Sequence, residues 1–222
     1  MSGGDIRDFV ERTTGHSIGD ASLFERAFTH SSLSRESYER LEFLGDRVLG
    51  LVIADALYRR YPNEPEGQMS RRFNALVARE TCAEVGRALG VPALIRVGRQ
   101  ARDDSANYSD NVVGDVVEAL IGALMIDAGI EPASAFIHSA WEPWLDGQGR
   151  APQHPKSALQ ELAASRGLKV PEYVLVGRTG AHHTPRFTVK VSVPRLGEAS
   201  AEGSSKQEAE TAAAAALMDK LK

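Results

Sequence analysis

The 222-residue chain is long enough for one large or two small domains, and its 42% hydrophobic and 25% charged residues are typical of a globular rather than a disordered protein. Its apolar stretches are too short to span a bilayer, its N-terminal segment lacks the apolar region of a secretory signal, and its single cysteine excludes a disulfide framework, so we expect a cytoplasmic protein with no membrane partner. The net charge of −4 hides two opposite parts: residues 1–150 carry 16 Arg, no Lys and 23 acids, whereas residues 151–222 carry 10 Lys and Arg and 7 acids. This asymmetry predicts two modules with different roles.

The first module is predicted to be all α. Apolar residues recur at spacings of three and four over 39–60, 70–89 and 111–128, and prolines lie in the intervening breaks at positions 62, 65 and 92. A stretch without any period, DGQGRAPQHP at residues 146–155, follows these helices and has the composition of a linker. We therefore predict a first domain over residues 1–148 and a linker over 149–154.

The second domain, residues 155–222, is predicted to have the order α-β-β-β-α. A short helical stretch, SALQELAASRG, precedes the strand-like YVLVGR and the alternating FTVKVSV. A turn-rich GEASAEG and an alanine-rich helix complete the chain. Alternation places Val189, Val191 and Val193 on one strand face together with Phe187, and we expect this face to be core.

Acidic residues carry the first chemical signal. On a helix, Glu39, Glu42 and Asp46 would lie along one stripe beside apolar neighbours. One interpretation is a solvated acidic face with ordinary arginine partners. The other is a partly buried carboxylate cluster, which must protonate, pair with cations or bind a metal.

A second pair of acids favours the metal. Asp115 and Glu118 lie three residues apart in a stretch that is apolar nearly all round, which predicts a buried helix. If this helix packs on the first one, Glu42, Asp46, Asp115 and Glu118 can form an oxygen-only site suited to Mg²⁺ or Mn²⁺. A di-iron bundle would use Glu-x-x-His pairs, which the chain lacks, and its one cysteine, Cys82, serves zinc poorly.

Other chemistries lack their sequence motifs. The chain has no phosphate-binding P-loop and no Gly-x-Gly-x-x-Gly fingerprint, so we predict no small-molecule organic cofactor. His30 lies beside two serines in THSS, but without a nucleophile elbow we expect it to be a hydrogen-bonded structural histidine near a helix end.

Two segments carry a resemblance to a known family. ERLEFLGD at residues 39–46 and GDVVEALIGALMIDAG at residues 114–129 resemble the catalytic domain of bacterial ribonuclease III, and the chain after residue 154 resembles a double-stranded-RNA-binding domain. The resemblance implies a homodimeric, Mg²⁺-dependent endoribonuclease that cleaves double-stranded RNA and leaves 5′-phosphate and 3′-hydroxyl ends with short 3′ overhangs. It also implies ribosomal RNA precursors and structured messenger RNA as substrates. The alternative is a catalytically retired structural protein that binds double-stranded RNA.

The resemblance also implies roles for single residues. The metal-binding acids are Glu42, Asp46, Asp115 and Glu118, of which Asp46 and Glu118 match the residues usually treated as catalytic. Glu39 and Glu66 match acids associated with substrate contact and the dimer interface. Two positions depart from the family: Ser37-Tyr38 replaces a common His-Asn, and Arg47 follows Asp46 where a small residue is usual. Tyr38 and Arg47 can reach RNA or can merely pack, and the sequence leaves both open.

Three regions of the second domain are expected to contact RNA. They comprise Gln160 and Glu161 on its first helix, Gly180, His182 and His183 in the hairpin, and Ser205, Lys206 and Gln207 at the start of the last helix. A simple turn is the alternative for the hairpin. Gln207 stands where the family commonly has a second basic residue.

Local features complete the expectations. Capping boxes are predicted at Ser157 with Gln160 and at Ser205 with Glu208. In the first domain, arginines cluster at 59–60, 71–72 and 96–102, and these either contact phosphates or serve solubility.

Overall fold

The computed structural model describes residues 3–147, 154–180 and 185–221. The chain forms two compact units, Met1–Pro152 and Gln153–Lys222. Across the described ranges, no helix combines the length and the apolar character needed to cross a membrane.

The first unit is helical, as the sequence predicted. An isolated β-bridge pairs Thr29 with Arg96, and short 3₁₀ helices occupy Val91–Leu94 and Ala106–Tyr108. The α-helices are α1 (Gly3–Thr14), α2 (Ala21–Ala27), α3 (Glu39–Arg60), α4 (Glu66–Leu76), α5 (Arg79–Leu89), α6 (Arg99–Asp103), α7 (Asp110–Ala128) and α8 (Ile130–Asp146).

Helix α7 forms the centre of this unit and packs against α2, α3, α5 and α8. Its buried residues run almost without interruption from Val112 to Leu124, which confirms the prediction of a buried helix from its apolar circumference. The helix begins where the Ser109 hydroxyl accepts a hydrogen bond from the Val112 amide at 3.3 Å. It ends at Gly129, whose φ of 88° lies in the left-handed region that favours glycine, and α8 starts at the next residue.

One predicted helical segment is two helices. The apolar period over residues 70–89 is continuous, but the structure breaks it between α4 and α5 because Ala78 takes an extended conformation with ψ of 145°. The Thr81 hydroxyl donates to the Ala75 carbonyl at 2.7 Å across this break. Neither glycine nor proline marks the position, so the sequence pattern carries no signal for it.

The second unit has the predicted α-β-β-β-α order. Its elements are α9 (Pro155–Ser165), β1 (Glu172–Thr179), β2 (Arg186–Val193), β3 (Gly197–Gly203) and α10 (Lys206–Lys220). The strands form an antiparallel sheet in the order β1-β2-β3, and Val191 pairs with Tyr173 on one side and Ala199 on the other. Val189, Val191 and Val193 are buried, which confirms the predicted core face at these positions, whereas Phe187 on the same face is only partly buried.

The turn-rich GEASAEG segment is strand β3. Its small residues have a packing role, because Ala199 is buried against α10 and a side chain at Gly203 would lie 2.5 Å from the Ala209 backbone nitrogen. Glycine and alanine here allow the last helix to approach the sheet closely.

The two capping predictions had different outcomes. The Ser157 capping box is wrong, since α9 begins earlier, with Pro155 in its first turn and His154 as its N-cap residue. At α10 the Ser205 hydroxyl does accept from the Glu208 amide at 3.1 Å. The Glu208 carboxylate, however, accepts from the Ser204 amide at 2.8 Å, one residue before the predicted partner.

Candidate active site and RNA-binding surface

Helices α3 and α7 cross with a glycine on each side of the contact. A β-carbon added to Gly45 would collide with the Glu118 backbone carbonyl, and one added to Gly122 would collide with the Leu41 carbonyl. Since backbone atoms cannot move aside as a flexible side chain can, this crossing requires glycine on both helices. The two glycines therefore set the distance between the acidic residues of α3 and α7.

The crossing brings three of the predicted acids together. Glu42 precedes Gly45 by one turn, and Asp115 and Glu118 lie on the facing stretch of α7. Burial and the neighbouring carboxylates raise the pKa of Glu118 to about 7. Burial, followed by the charges of Asp115 and Glu39, also raises the pKa of Glu42, and burial raises the pKa of Asp115. The cluster therefore resists carrying three negative charges at once.

The hydrogen-bond donors next to Asp115 and Glu118 differ in strength. The Tyr38 hydroxyl donates to Asp115 Oδ2 at 3.1 Å, whereas the Cys82 thiol, a weak donor, lies 3.7 Å from Glu118 Oε1. Burial and the adjacent carboxylates raise the pKa of both the phenol and the thiol, so both keep their protons. The exposed Arg79 at the start of α5 lowers the pKa of each of the three acids by its charge.

Asp46 is placed differently from the other three acids. It follows Gly45 on α3, but its carboxylate pairs with the guanidinium of the adjacent Arg47, which also lies over the Phe43 ring at 5.1 Å. In the described part of the chain, no three Asp, Glu, His or Cys side chains stand ready as a metal site. Glu42, Asp115 and Glu118 are close enough to affect one another's pKa, and Asp46 lies beside their crossing point without their being arranged as a closed set of ligands.

The two further acids lie in separate places. Glu39 is exposed at the start of α3 and its charge raises the pKa of Glu42 and Asp115. Glu66 is exposed at the start of α4, where it accepts a hydrogen bond from the Ser70 hydroxyl at 2.6 Å. Of these two, only Glu39 is among the main charges that shift the pKa of the three clustered acids.

The arginine clusters are largely engaged in ion pairs. Arg72 is 1% exposed, donates to both carboxylate oxygens of Glu64 at 2.8 and 2.7 Å, and stacks 3.8 Å from the Tyr61 ring centre. Neither of the two roles left open for this cluster, phosphate contact or solubility, applies to Arg72, because it is buried and paired with Glu64 between α3 and α4. A groove of about 860 Å³ instead gathers arginines 26, 35 and 40 next to Glu39.

The predicted RNA contacts in the second unit are exposed where they are described. Gln160 and Glu161 lie on the outer face of α9, and Ser205, Lys206 and Gln207 open α10. Gly180 follows β1 with φ of 88°, whereas His182 and His183 lie outside the described residues. Lys156, for which the sequence predicted no role, lies 2.6 Å from Glu210 and brings a second ammonium near Lys206.

The comparisons with known proteins agree with this two-unit arrangement. Residues 20–143 match a family model described as Ribonuclease-III-like, and residues 155–221 match the double-stranded RNA binding motif. Ribonuclease 3 of Zymomonas mobilis subsp. mobilis is 56% identical over 96% of this chain and 87% of its own length. Ribonuclease 3 of Rhodopseudomonas palustris is 44% identical over 94% of this chain and 79% of its own length. The nuclease domain of ribonuclease III from Campylobacter jejuni is 29% identical with a TM-score of 0.60, covering 61% of this chain and 96% of that domain.

A helical nuclease unit followed by a double-stranded-RNA-binding unit defines an endoribonuclease that acts on double-stranded RNA. The chain belongs to the ribonuclease III family. This confirms the resemblance that ERLEFLGD and the acidic α7 segment indicated, and an active endoribonuclease replaces the alternative of a retired RNA-binding protein.

Proposed function

We propose that this endoribonuclease uses Mg²⁺, or Mn²⁺ as a substitute, held by Glu42, Asp46, Asp115 and Glu118. The observation that carries the proposal is the glycine crossing of α3 and α7, which packs carboxylates so closely that their charges oppose one another. Such a group is stabilised by a divalent cation, and an oxygen-only donor set suits a hard one. The chemistry of the residues present therefore fits the ion.

Asp46 can join this donor set at small cost. Its ion pair with Arg47 involves side chains that are both substantially exposed, and exposed pairs of this kind contribute only about 0–1 kcal/mol. Exchange of Arg47 for a divalent cation is therefore easy, and the freed guanidinium lies on the same helix next to an anionic substrate. We propose Asp46 and Glu118 as the catalytic pair among the four acids.

The proposed reaction is hydrolysis of a phosphodiester bond to 5′-phosphate and 3′-hydroxyl ends with short 3′ overhangs. When bound, Mg²⁺ acidifies water and stabilises negative charge on the leaving oxygen. The four acids fix the ion, and the packed helices fix the acids, so the contribution of the protein is positioning. Without the cation, the acidic cluster repels the phosphate backbone.

We propose a homodimer that forms through α3. Phe43, Leu51 and Tyr58 are 66%, 63% and 71% exposed and lie on one face of that helix. The Campylobacter jejuni nuclease domain has a region involved in dimer formation. Glu66, exposed at the start of α4, and Glu39, which lines the arginine groove, are proposed to serve the dimer interface and substrate contact.

Light scattering at micromolar concentration tests the dimer. Leu51→Glu should halve the measured mass, because a charge would be buried in the contact, whereas Val170→Glu, at an exposed apolar residue of the second unit, should leave it unchanged. A monomeric parent protein would contradict the proposal.

The second unit is proposed to dock the duplex through three regions. The exposed Gln160 and Glu161 suit the 2′-hydroxyls of a minor groove, and the start of α10 suits the phosphates next to it. Gly180, with His182 and His183 outside the described residues, is proposed to reach a second minor groove. We propose domain limits of 1–148 and 155–222 for this function. We also propose ribosomal RNA precursors and structured messenger RNA as substrates, and a cytoplasmic location.

Incubation with long duplex RNA tests the proposed function. Cleavage should require Mg²⁺ or Mn²⁺, stop in EDTA, and spare single-stranded RNA of the same sequence. Ligation to an adaptor that requires a 5′-phosphate should capture the products. Undiminished cleavage in EDTA would reject the metal site.

A further inference from the structure

Tyr38 is held firmly at the start of α3. Its side chain is 4% exposed, its amide donates to the Thr29 carbonyl at 2.9 Å, and its own carbonyl accepts from the Leu41 and Glu42 amides at 2.8 and 2.9 Å. The ring of His30 packs edge-on against the phenol, with 5.7 Å between ring centres. Backbone and ring are thus both fixed, so the hydroxyl has a defined position.

The hydroxyl points to the acidic cluster and away from solvent. It donates to Asp115 Oδ2 at 3.1 Å. Burial rules out direct contact of this residue with RNA, one of the two roles that the sequence left open. A purely apolar packing role does not require the hydroxyl, because phenylalanine would fill the same space.

We propose that Tyr38 is a positioning residue that holds the Asp115 carboxylate in the orientation needed to bind the divalent cation. This inference rests on the proposed function, in which Asp115 is a metal ligand. A hydrogen bond to one carboxylate oxygen restricts rotation of the side chain, supports its negative charge and leaves the other oxygen for a ligand. Ordering the side chain before binding lowers the entropic cost of forming the site.

The neighbouring acid has a weaker support. The Cys82 thiol lies 3.7 Å from Glu118 Oε1, and a thiol is a weaker hydrogen-bond donor than a phenol. Of these two acids, Asp115 is therefore the one whose orientation a strong donor fixes. Loss of the phenolic hydroxyl should therefore weaken metal binding, and it should slow cleavage only because less metal is bound.

The test is Mn²⁺ binding by the full chain without RNA, measured by electron paramagnetic resonance or calorimetry. Tyr38→Phe should bind Mn²⁺ roughly 10- to 100-fold more weakly, the usual loss when a group that orients a metal ligand is removed. Tyr108→Phe, which changes an exposed tyrosine of the same unit, should bind as the parent does. In cleavage assays, Tyr38→Phe should need correspondingly more Mg²⁺ and approach the parent kcat at saturating Mg²⁺.

A second background separates positioning from a structural role. In Asp115→Asn protein, the further change Tyr38→Phe should alter Mn²⁺ affinity less than twofold, because the carboxylate through which it acts is gone. An equal loss in both backgrounds, or a Kd of Tyr38→Phe within twofold of the parent, would overturn the inference. If the parent itself binds no Mn²⁺, the proposed metal site fails and the inference fails with it.

Discussion

Helix α7 carries two kinds of buried carboxylate. Near its middle, Glu118 has a pKa raised to about 7 by burial and by neighbouring acids. Near its C-terminal end, the Asp127 side chain is only 7% exposed, yet its pKa is lowered. Burial raises the pKa of Asp127 too, but hydrogen bonds from the Gly19 and Asp20 amides, both at 2.9 Å, and from His16 at 2.8 Å outweigh it.

The difference shows how the neighbours of a partly buried acid affect its pKa: hydrogen-bond donors lower the pKa of Asp127, whereas burial and neighbouring carboxylates raise that of Glu118. Asp127 is satisfied by the protein itself and fastens the α1–α2 connection to α7. Glu118 has a thiol and two competing carboxylates, so its charge is left for something outside the chain to balance. The first arrangement contributes stability, and the second costs stability and fits the role proposed for Glu118.

The strongest test of this contrast is activity. Glu118→Ala should reduce cleavage of duplex RNA by roughly 10⁴-fold or more, as removal of a catalytic group does. Binding of the same duplex in EDTA should stay within about threefold of the parent, because the residues proposed to contact RNA are in the other unit. Substantial cleavage by Glu118→Ala across a Mg²⁺ titration would refute the site.

Asp127→Ala should show the opposite behaviour. Three hydrogen bonds to a carboxylate are lost, so urea unfolding should report a free energy of unfolding lower by about 2–3 kcal/mol. Cleavage at a temperature where the variant stays folded should match the parent. A variant as stable as the parent would show that these contacts contribute little.

The pH dependence of stability in Glu118→Gln protein tests whether the pKa of Glu118 is raised by folding. Because folding raises the pKa of Glu118 from 4.5 to about 7, the fold favours its protonated form, and stability falls as pH rises from about 5 to 8. In EDTA the glutamine variant should therefore be more stable than the parent at pH 8, by at most about 3 kcal/mol, and equal to it near pH 4.5. Thermal unfolding across this range measures the gap, and a gap that does not change with pH would contradict the assignment.

The smallest expected effect is on the salt dependence of RNA binding, at Lys206 and Gln207. Lys206 lies 4.0 Å from Glu210, while Gln207 beside it is exposed and uncharged. Gln207→Lys should steepen the slope of log affinity for duplex RNA against log salt by about one unit, and Lys206→Ala should flatten it by that amount or less. An unchanged slope for Gln207→Lys between about 50 and 200 mM salt would mean that this side chain points away from the phosphates.

The sequence predicted helices and acids well where one local period was enough. Helices α3 and α7 and the face of Val189, Val191 and Val193 follow from spacing alone. The break at Ala78 does not, because an extended residue without a turn former leaves no mark in the pattern. The misplaced cap at Ser157 has a similar cause: Pro155 can begin a helix, and the sequence offered a polar residue two positions later as an equally good start.

The site was predictable in its residues and not in its contacts. The acids of the two helices stood out by their apolar surroundings, but Asp115 and Asp127 look alike in sequence. Only tertiary structure places Tyr38 against the first and the Gly19 amide against the second. Asp46 and Arg47 are adjacent in sequence, so their ion pair needs no tertiary contact. The position of Asp46 relative to the other acids, however, depends on the close approach of α3 and α7 at Gly45, which the motif alone does not reveal.

The buried Cys82 has a practical consequence for labelling. Its thiol has no exposed surface and keeps its proton, because burial and the adjacent Glu118 raise its pKa. Alkylating reagents and mild oxidants attack the accessible thiolate, so the native cysteine is inert toward them. Since the chain contains no other cysteine, a fluorophore or spin label can be attached at a single introduced surface cysteine while Cys82 is left in place.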